Sequence, residues 1–181
     1  MQKIILITGA VTSGKTSFLE LLAGRFSPPW QTDGFLAKAP ERIYNSAQFA
    51  SRYVLYRIGK QESYPWATPR KNNNGYFFNQ DTQNFLDNNF IDTLLSSCPD
   101  MFFIDELGKL ELRGAGLEKV LLAAINSEIK LLVCTVKKRF FNDIVEKYDL
   151  QNSICIDLDI MDKDLAAQKI IRYIDDSFFS D

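Results

Sequence analysis

The sequence contains no histidine. This absence excludes Ser-His-Asp and Cys-His hydrolases and argues against a zinc enzyme, because both classes depend on imidazole as base or ligand. Cysteine is scarce, and Cys98, Cys134 and Cys155 lie far apart without zinc-ligand or disulfide spacing. We therefore predict that all three are reduced, and that Cys134 and Cys155, within apolar strand-like runs, are small buried residues rather than nucleophiles.

Long hydrophobic runs are also missing. Runs such as 4–7 and 101–104 have the length of a strand and fall short of a membrane span. The N-terminal segment lacks the apolar region and cleavage site of a signal peptide, so we expect a cytoplasmic protein. The 21 basic and 23 acidic residues give a net charge of −2, which provides no general attraction to nucleic acid or to a membrane. No pattern in the sequence indicates an oligomeric state.

The chain has 181 residues, of which 46% are hydrophobic, and we predict one folded domain over 1–181. Short apolar runs alternate with helical patterns, which is typical of an α/β fold with a mostly parallel sheet. The predicted strands are 3–8, 35–39, 52–58, 101–105, 130–135 and 154–157, the second and third pairing as a hairpin. The predicted helices are 16–26, 81–97, 117–128 and 139–148, and a final helix capped by Asp162.

The segment 59–75 has no periodicity and contains Pro65, Pro69 and three consecutive asparagines. We predict a long polar loop there. Loops of this length are often functional, so the segment is a candidate lid.

Residues 9–16 match the pattern G-x-x-x-x-G-K-[ST] between a predicted strand and a predicted helix. Glycines let the loop wrap a phosphate with its N–H groups, and the helix N-terminus adds a favourable dipole. Lys15 is expected to reach the β- and γ-phosphates, and the Thr16 hydroxyl to ligate Mg²⁺. The predicted nucleotide-binding residues are Gly9, Ala10, Val11, Thr12, Ser13, Gly14, Lys15, Thr16 and Ser17.

A second chemical pattern is the apolar run 101–104 followed by Asp105 and Glu106. A buried parallel strand delivers such acids to the carboxyl edge of the sheet, where open α/β folds bind ligands. We predict that Asp105 holds Mg²⁺ and that Glu106 orients and deprotonates the attacking water.

The segment 105–112, D-E-L-G-K-L-E-L, closely resembles the D-E-[IL]-G-K-[ML]-E-L signature of a family of small nucleoside-triphosphatases. This family occurs in thermophilic prokaryotes and is called cancer-related nucleoside-triphosphatase in animals. Asp33-Gly34-Phe35 and Asn74-Gly75-Tyr76 also resemble family segments, in the same order along the chain. The resemblance implies a three-layer P-loop fold with a RecA-like sheet, and Mg²⁺-dependent hydrolysis of ATP, GTP and other nucleoside triphosphates. The family's T-E-E-V-R continuation after G-F is absent here, where residues 36–42 read L-A-K-A-P-E-R.

Several other polar or aromatic residues are open between a functional and a structural role. Lys109 could neutralise charge in the transition state or be a solvated lysine. Thr135 ends the strand that a RecA-like order places between the phosphate loop and Asp105, where it could sense the γ-phosphate or simply complete the strand. Lys137, Lys138 or Arg139 could contact phosphate or be solvated, and Arg70 could close over the triphosphate. Tyr64 and Trp66 could stack on a base or anchor the segment to the rest of the fold.

Two other function classes remain open. The first is a regulatory GTPase, because residues 105–108 match the pattern D-x-x-G. No N-K-x-D guanine motif follows the strand 130–135, which argues against this class. A small-molecule or nucleotide kinase shares the phosphate loop and uses a lid to exclude water. Kinase lids bring several arginines, whereas 59–75 contains Arg70 alone.

Overall fold

The computed structural model describes residues 2–178 except 27, 29, 46–47 and 71–74, and leaves the side chains of 41–45 and 48–50 undescribed. The strands are Lys3–Thr8 (β1), Thr32–Asn45 (β2), Gln48–Arg57 (β3), Glu62–Pro69 (β4), Tyr76–Phe78 (β5), Met101–Leu107 (β6), Leu131–Val136 (β7) and Ile154–Asp157 (β8). The α-helices are Lys15–Phe26 (α1), Gln80–Phe85 (α2), Ile91–Ser97 (α3), Lys109–Leu112 (α4), Glu118–Ile125 (α5), Phe141–Lys147 (α6) and Lys163–Phe178 (α7). A π-helical turn, Leu86–Phe90, joins α2 to α3, and a 3₁₀ turn, Lys138–Phe140, precedes α6.

The strands form one sheet in the order β5-β4-β3-β2-β6-β7-β1-β8. Pairing is parallel from β2 through β6, β7 and β1 to β8, and antiparallel from β2 through β3 and β4 to β5. The order confirms that β7, the strand that contains Thr135, lies between β1 and β6. Parallel β1, β6 and β7 thus end at the same edge, which carries residues 9, 105 and 135.

Helices cover both faces of the sheet, because buried side chains alternate along the central strands. On β6, Phe102 and Ile104 join a core formed with α2, α3, α5 and α6. Met101 and Phe103 join the opposite core with α1 and α7. The predicted three-layer α/β arrangement is confirmed.

The predicted loop at 59–75 is wrong over its central part, residues 62–69. Glu62–Pro69 is β4, paired with β3 and β5, and Tyr76–Phe78 is the short strand β5. Prolines mask this strand in the sequence because they cannot donate to a ladder. A shift in the β3–β4 register between Tyr53 and Val54 adjoins Pro65, and Pro69 ends the strand. The asparagines 72–74 lie outside the described residues.

The interpretation of Cys155 as a buried residue is also wrong. Its neighbour Ile156 packs into the core with α1 and α7, so Cys155 points to the opposite face at the edge strand β8 and is exposed. Cys134 is fully buried on central strand β7, and burial raises the pKa of its thiol. All three cysteines are free. Among the described residues, no helix has the length and apolar character needed to span a membrane.

Candidate functional site

The glycine-containing loop 9–14 connects β1 to α1 and lies at the carboxyl edge of the sheet. Gly9 and Gly14 have φ angles of 150° and 81°, a region that residues with a Cβ rarely adopt. A Cβ at Gly9 would also lie 2.7 Å from the Ser13 Oγ. The loop therefore needs these glycines to close on itself ahead of the helix.

Lys15 is the first residue of α1 and is almost fully buried. Its Nζ donates hydrogen bonds to the carbonyl oxygens of Gly9, at 3.0 Å, and Ala10, at 2.8 Å. The ammonium group thus folds back over the loop. This places a positive charge beside the backbone that would surround a bound phosphate.

Asp105, on β6, is 1% exposed and is held by three neighbouring elements. Its Oδ1 accepts a hydrogen bond from the Thr135 hydroxyl on β7, and its Oδ2 accepts one from the Ala37 N–H on β2. The Thr16 hydroxyl at the start of α1 is a further partner. Burial raises the pKa of Asp105 to about 6, although the hydrogen bonds from Thr135 and Thr16 favour the carboxylate.

Glu106 lies in a bulge of β6. The β6–β7 register shifts between Ile104 and Leu107, and Glu106 has a positive φ of 67°. Its N–H donates to the Thr135 Oγ1 at 2.8 Å in place of a ladder bond. Its half-buried carboxylate forms a 2.8 Å ion pair with Lys137, the first residue after β7. The bulge therefore turns two successive acids in different directions.

Asp159 connects the loop after β8 to the phosphate loop. Its carboxylate accepts the Ala10 N–H through both oxygens, at 2.8 and 3.0 Å, and pairs with Lys138 at 2.6 Å. Lys138 also contacts Asp157, so it joins the end of β7 to the end of β8. Asp159 was not among the residues predicted from the sequence. The sequence feature that could have indicated it is an acid just beyond a strand that pairs with β1.

A family model described as NTPase matches residues 4–171. The chain belongs to the NTPase family. The family predicted from the 105–112 signature and its order of landmarks is therefore confirmed, and the family implies nucleotide substrates.

A search of solved structures found the same fold in THEP1 from the hyperthermophile Aquifex aeolicus. The match has a TM-score of 0.69 and covers 94% of this chain and 98% of that one, at 17% sequence identity. At this identity the likeness shows the fold alone, and it confirms the predicted fold class. No curated protein matches the chain.

Thr135 is fully buried beside Asp105. Its hydroxyl joins Asp105 to the Glu106 backbone, and a contact with the γ-phosphate stays a prediction. Lys109 begins α4, is exposed, and makes no ion pair with any residue that the structure describes. The lysine that pairs with Glu106 is Lys137, which the sequence alone left as part of a charge run.

Arg70 lies far along the sheet from the phosphate loop. It follows β4, five strand positions from β1, which corresponds to about 24 Å at about 4.8 Å per strand. Its guanidinium stacks over Phe77 at 4.7 Å. Tyr64 stacks on Phe85 at 4.8 Å, which agrees with an anchoring role, and Trp66 is almost fully buried in β4.

The oxygen atoms at the loop fit a magnesium ion that arrives with a nucleotide. The Thr16 hydroxyl and the Asp105 carboxylate are hard donors that meet at one point. Within the described part of the chain, no group of three or more Asp, Glu, Cys or His residues could hold a metal by itself. Mg²⁺ commonly takes one or two protein ligands and completes its shell with phosphate oxygens and water.

Proposed function

We propose that this protein hydrolyses nucleoside 5′-triphosphates to diphosphate and phosphate with Mg²⁺, and with little preference among bases. One observation carries the proposal: Lys15, Thr16 and Asp105 meet at one sheet edge, with the Glu106 carboxylate on the adjacent residue. A cation, two metal-ligating oxygens and a base are the parts that phosphoryl transfer to water needs. The free cysteines support a cytoplasmic location.

The phosphates are bound by the loop and the start of α1. The N–H groups of the loop and helix terminus surround the β-phosphate, and Lys15 exchanges its two carbonyl contacts for the β- and γ-phosphate oxygens. Because Lys15 is already inside the loop, only a short movement of its ammonium group is needed. The charge is thus in place before the nucleotide arrives.

Asp105 and Thr16 would hold a magnesium ion, which would supply positive charge to neutralise the phosphate oxygens. Asp105 is fixed by Thr135 and Ala37, so its orientation does not depend on the ligand. A preorganised carboxylate loses little entropy when the ion binds.

Glu106 accepts a proton from the attacking water. Its ion pair with Lys137 orients the carboxylate, and its partial exposure leaves an oxygen available to solvent beside Asp105. Lys109 remains a proposed source of positive charge from α4, three residues beyond Glu106.

Broad base tolerance is supported by the outer side of the phosphate loop. Val11, in the loop, is 88% exposed, and Ile160, which follows Asp159 at the loop's other flank, is 85% exposed. Aliphatic side chains contact the face of any base but form no hydrogen bond that distinguishes one from another. The four common nucleoside triphosphates are therefore proposed substrates.

Three variants compared in single-turnover phosphate release and equilibrium nucleotide binding test these roles. Lys15→Ala is expected to lose Mg²⁺–nucleotide affinity, whereas Glu106→Gln is expected to bind normally and to hydrolyse about 10²- to 10⁴-fold more slowly. Asp105→Asn is expected to raise the Mg²⁺ concentration needed for half-maximal activity. A folded Glu106→Gln protein that hydrolyses at the parent rate would remove Glu106 from the mechanism. Unchanged affinity in Lys15→Ala would reject the nucleotide site itself.

A further inference from the structure

A cleft of about 480 Å³ adjoins the candidate site and contains no residue of the phosphate loop. It lies between the antiparallel half of the sheet and the segment from α4 to the start of α6. Asp105 borders this cleft and also bonds to Thr16 of the nucleotide site. The two spaces therefore meet at one carboxylate.

The cleft is larger than hydrolysis requires. An attacking water occupies about 30 Å³, whereas sites for small molecules measure about 300 to 1,000 Å³. Glu106 lies on the cleft wall, where the attacking oxygen would be placed. The space thus suits a molecule that brings its own oxygen to Glu106.

Aromatic rings form much of the wall. Trp66 and Phe78 meet edge to face with ring centres 5.4 Å apart, and Tyr53 and Tyr76 meet in the same way at 5.6 Å. Phe78 is 41% exposed, so part of its face is open to a ligand. Flat apolar walls of this kind favour a planar ring.

The mouth of the cleft carries positive charge that the protein does not neutralise. Lys109, Arg113 and Arg139 line it and are exposed, and none of them pairs with an acid in the part of the chain that the structure describes. The nearby carboxylate of Glu111 is already bound to the N–H groups of Gly108 and Leu117. The charges therefore favour a ligand that carries an anionic group.

The acids at the inner end restrict the group that reaches them. A phosphate or carboxylate oxygen has no proton to give to Glu106, whereas an alcohol can donate its proton to that carboxylate. The oxygen next to Glu106 should therefore belong to a hydroxyl group.

We propose that this cleft binds an alcohol that carries a planar aromatic ring and an anionic group, and that this alcohol accepts the γ-phosphoryl group of the bound triphosphate. The proposal rests on the proposed nucleotide site. The alcohol oxygen forms a bond to the γ-phosphorus while the bond from that phosphorus to the β-phosphate oxygen breaks. The hydroxyl proton passes to Glu106, and nucleoside diphosphate and a phosphate monoester are released. Hydrolysis is then the reaction of the same site when water takes the place of the alcohol.

Nucleoside 3′-monophosphates are suitable probes, because each combines a planar base, an anionic group and a free 5′-hydroxyl. The protein is mixed with Mg²⁺ and ATP labelled at the γ-phosphate, together with the 3′-monophosphate of adenosine, guanosine, cytidine or uridine. At least one probe is expected to yield a labelled 3′,5′-bisphosphate. Adenosine, which lacks the anion, and glycerol 3-phosphate, which lacks the ring, should react at least about tenfold less efficiently.

Matched variants locate the reaction. Phe78→Ala removes an aromatic wall, and its control Phe77→Ala changes the neighbouring ring of β5, which does not line the cleft. Arg113→Glu reverses a charge at the mouth, and its control Arg172→Glu reverses an exposed arginine of α7. The cleft variants are expected to raise the KM for the alcohol about tenfold while leaving phosphate release to water unchanged, and the controls should change neither.

The outcomes separate this proposal from the hydrolase itself. Phosphate release without any labelled monoester would overturn the acceptor site and leave the proposed hydrolysis standing. Equal effects of the Phe78 and Arg113 variants and of their control variants on transfer to the alcohol would also overturn it. Labelled product without release to water would support the cleft and reject hydrolysis as the main reaction.

Discussion

Thr135 shows how one buried hydroxyl group can position two acids. Its oxygen accepts the N–H of Glu106 and donates its proton to Asp105, and it does both at the bulge where the β6–β7 ladder is interrupted. A valine has nearly the same shape but offers neither bond. Residue 135 is therefore a positioning residue that acts through its neighbours.

Thr135→Val should destabilise the protein by about 1 to 3 kcal/mol, because the buried Asp105 carboxylate loses a donor and the Glu106 N–H loses its acceptor. It should also lower turnover, since both acids lose a fixed partner. Urea unfolding measures the loss of stability. Single-turnover hydrolysis with Mg²⁺ titration measures the loss of turnover. Thr135→Ser keeps the hydroxyl and is expected to recover most of the activity. Equal activity in the valine and serine variants would show that the hydroxyl has no positioning role.

Asp105 should make the ligand-free protein sensitive to pH. Its pKa of about 6 lies above the value of about 3.9 of an unfolded chain, so the folded state holds its proton more tightly. Raising the pH from about 4 to 6 should therefore cost the native protein stability relative to Asp105→Asn, by on the order of 2 kcal/mol. The difference should level off only above about pH 7, where the folded-state carboxyl has lost its proton.

Urea unfolding of both proteins, without nucleotide and with a chelator, measures this difference at several pH values. The chelator keeps metal from holding the carboxylate ionised. A difference that is flat from pH 4 to 8 would show that Asp105 does not titrate in this range.

At the scale of elements, Gly34 sets how closely β2 approaches β6. It pairs with Phe103, has a φ of 141°, and an added Cβ would lie 2.2 Å from the Phe103 carbonyl oxygen. Because that contact is to backbone, no side-chain rotation relieves it. Moving β2 would also move Ala37, whose N–H binds Asp105.

Two glycine variants are expected to change stability in opposite directions. Gly34→Ala should destabilise by more than about 3 kcal/mol or prevent folding. Gly24→Ala, on the exposed side of α1 with no atom within 4 Å of the new Cβ, should stabilise by about 0.5 to 1 kcal/mol. Urea unfolding of both variants measures these changes in stability. Similar values for the two variants would show that β2 can shift to accept the methyl group.

Elements with strong periodicity or motif context could be predicted from the sequence, and those defined by long-range pairing could not. The β1–loop–α1 unit and the acid-ended strand β6 agree with the structure because their signals are local. Strand β4 exists through its pairing with β3 and β5, which overcomes the unfavourable Pro65. The Lys137–Glu106 pair depends on which strands are neighbours and on a bulge that no local pattern reveals.

At the scale of the whole molecule, the candidate site is assembled from ends of separate elements. The sheet order places β7 between β1 and β6, so Thr135 lies at the centre of the edge that carries Lys15 and Asp105. Lys15 and Asp105, 90 positions apart in sequence, thus lie at one candidate site. The antiparallel strands widen the same edge and form the cleft beside Glu106.

Substrate choice should also be a property of the whole molecule. The residues proposed to bind phosphate are buried in the fold, whereas Val11 and Ile160, on the outer side of the loop, are exposed. ATP, GTP, CTP and UTP should have kcat/KM values within about tenfold of one another, measured as phosphate release with Mg²⁺. Ile160 is exposed, and an aliphatic side chain forms no hydrogen bond that distinguishes one base from another, so Ile160→Ala should change all four by a similar factor. A preference of more than about a thousandfold for one base would contradict this, since discrimination of that size needs hydrogen-bonding partners dedicated to that base.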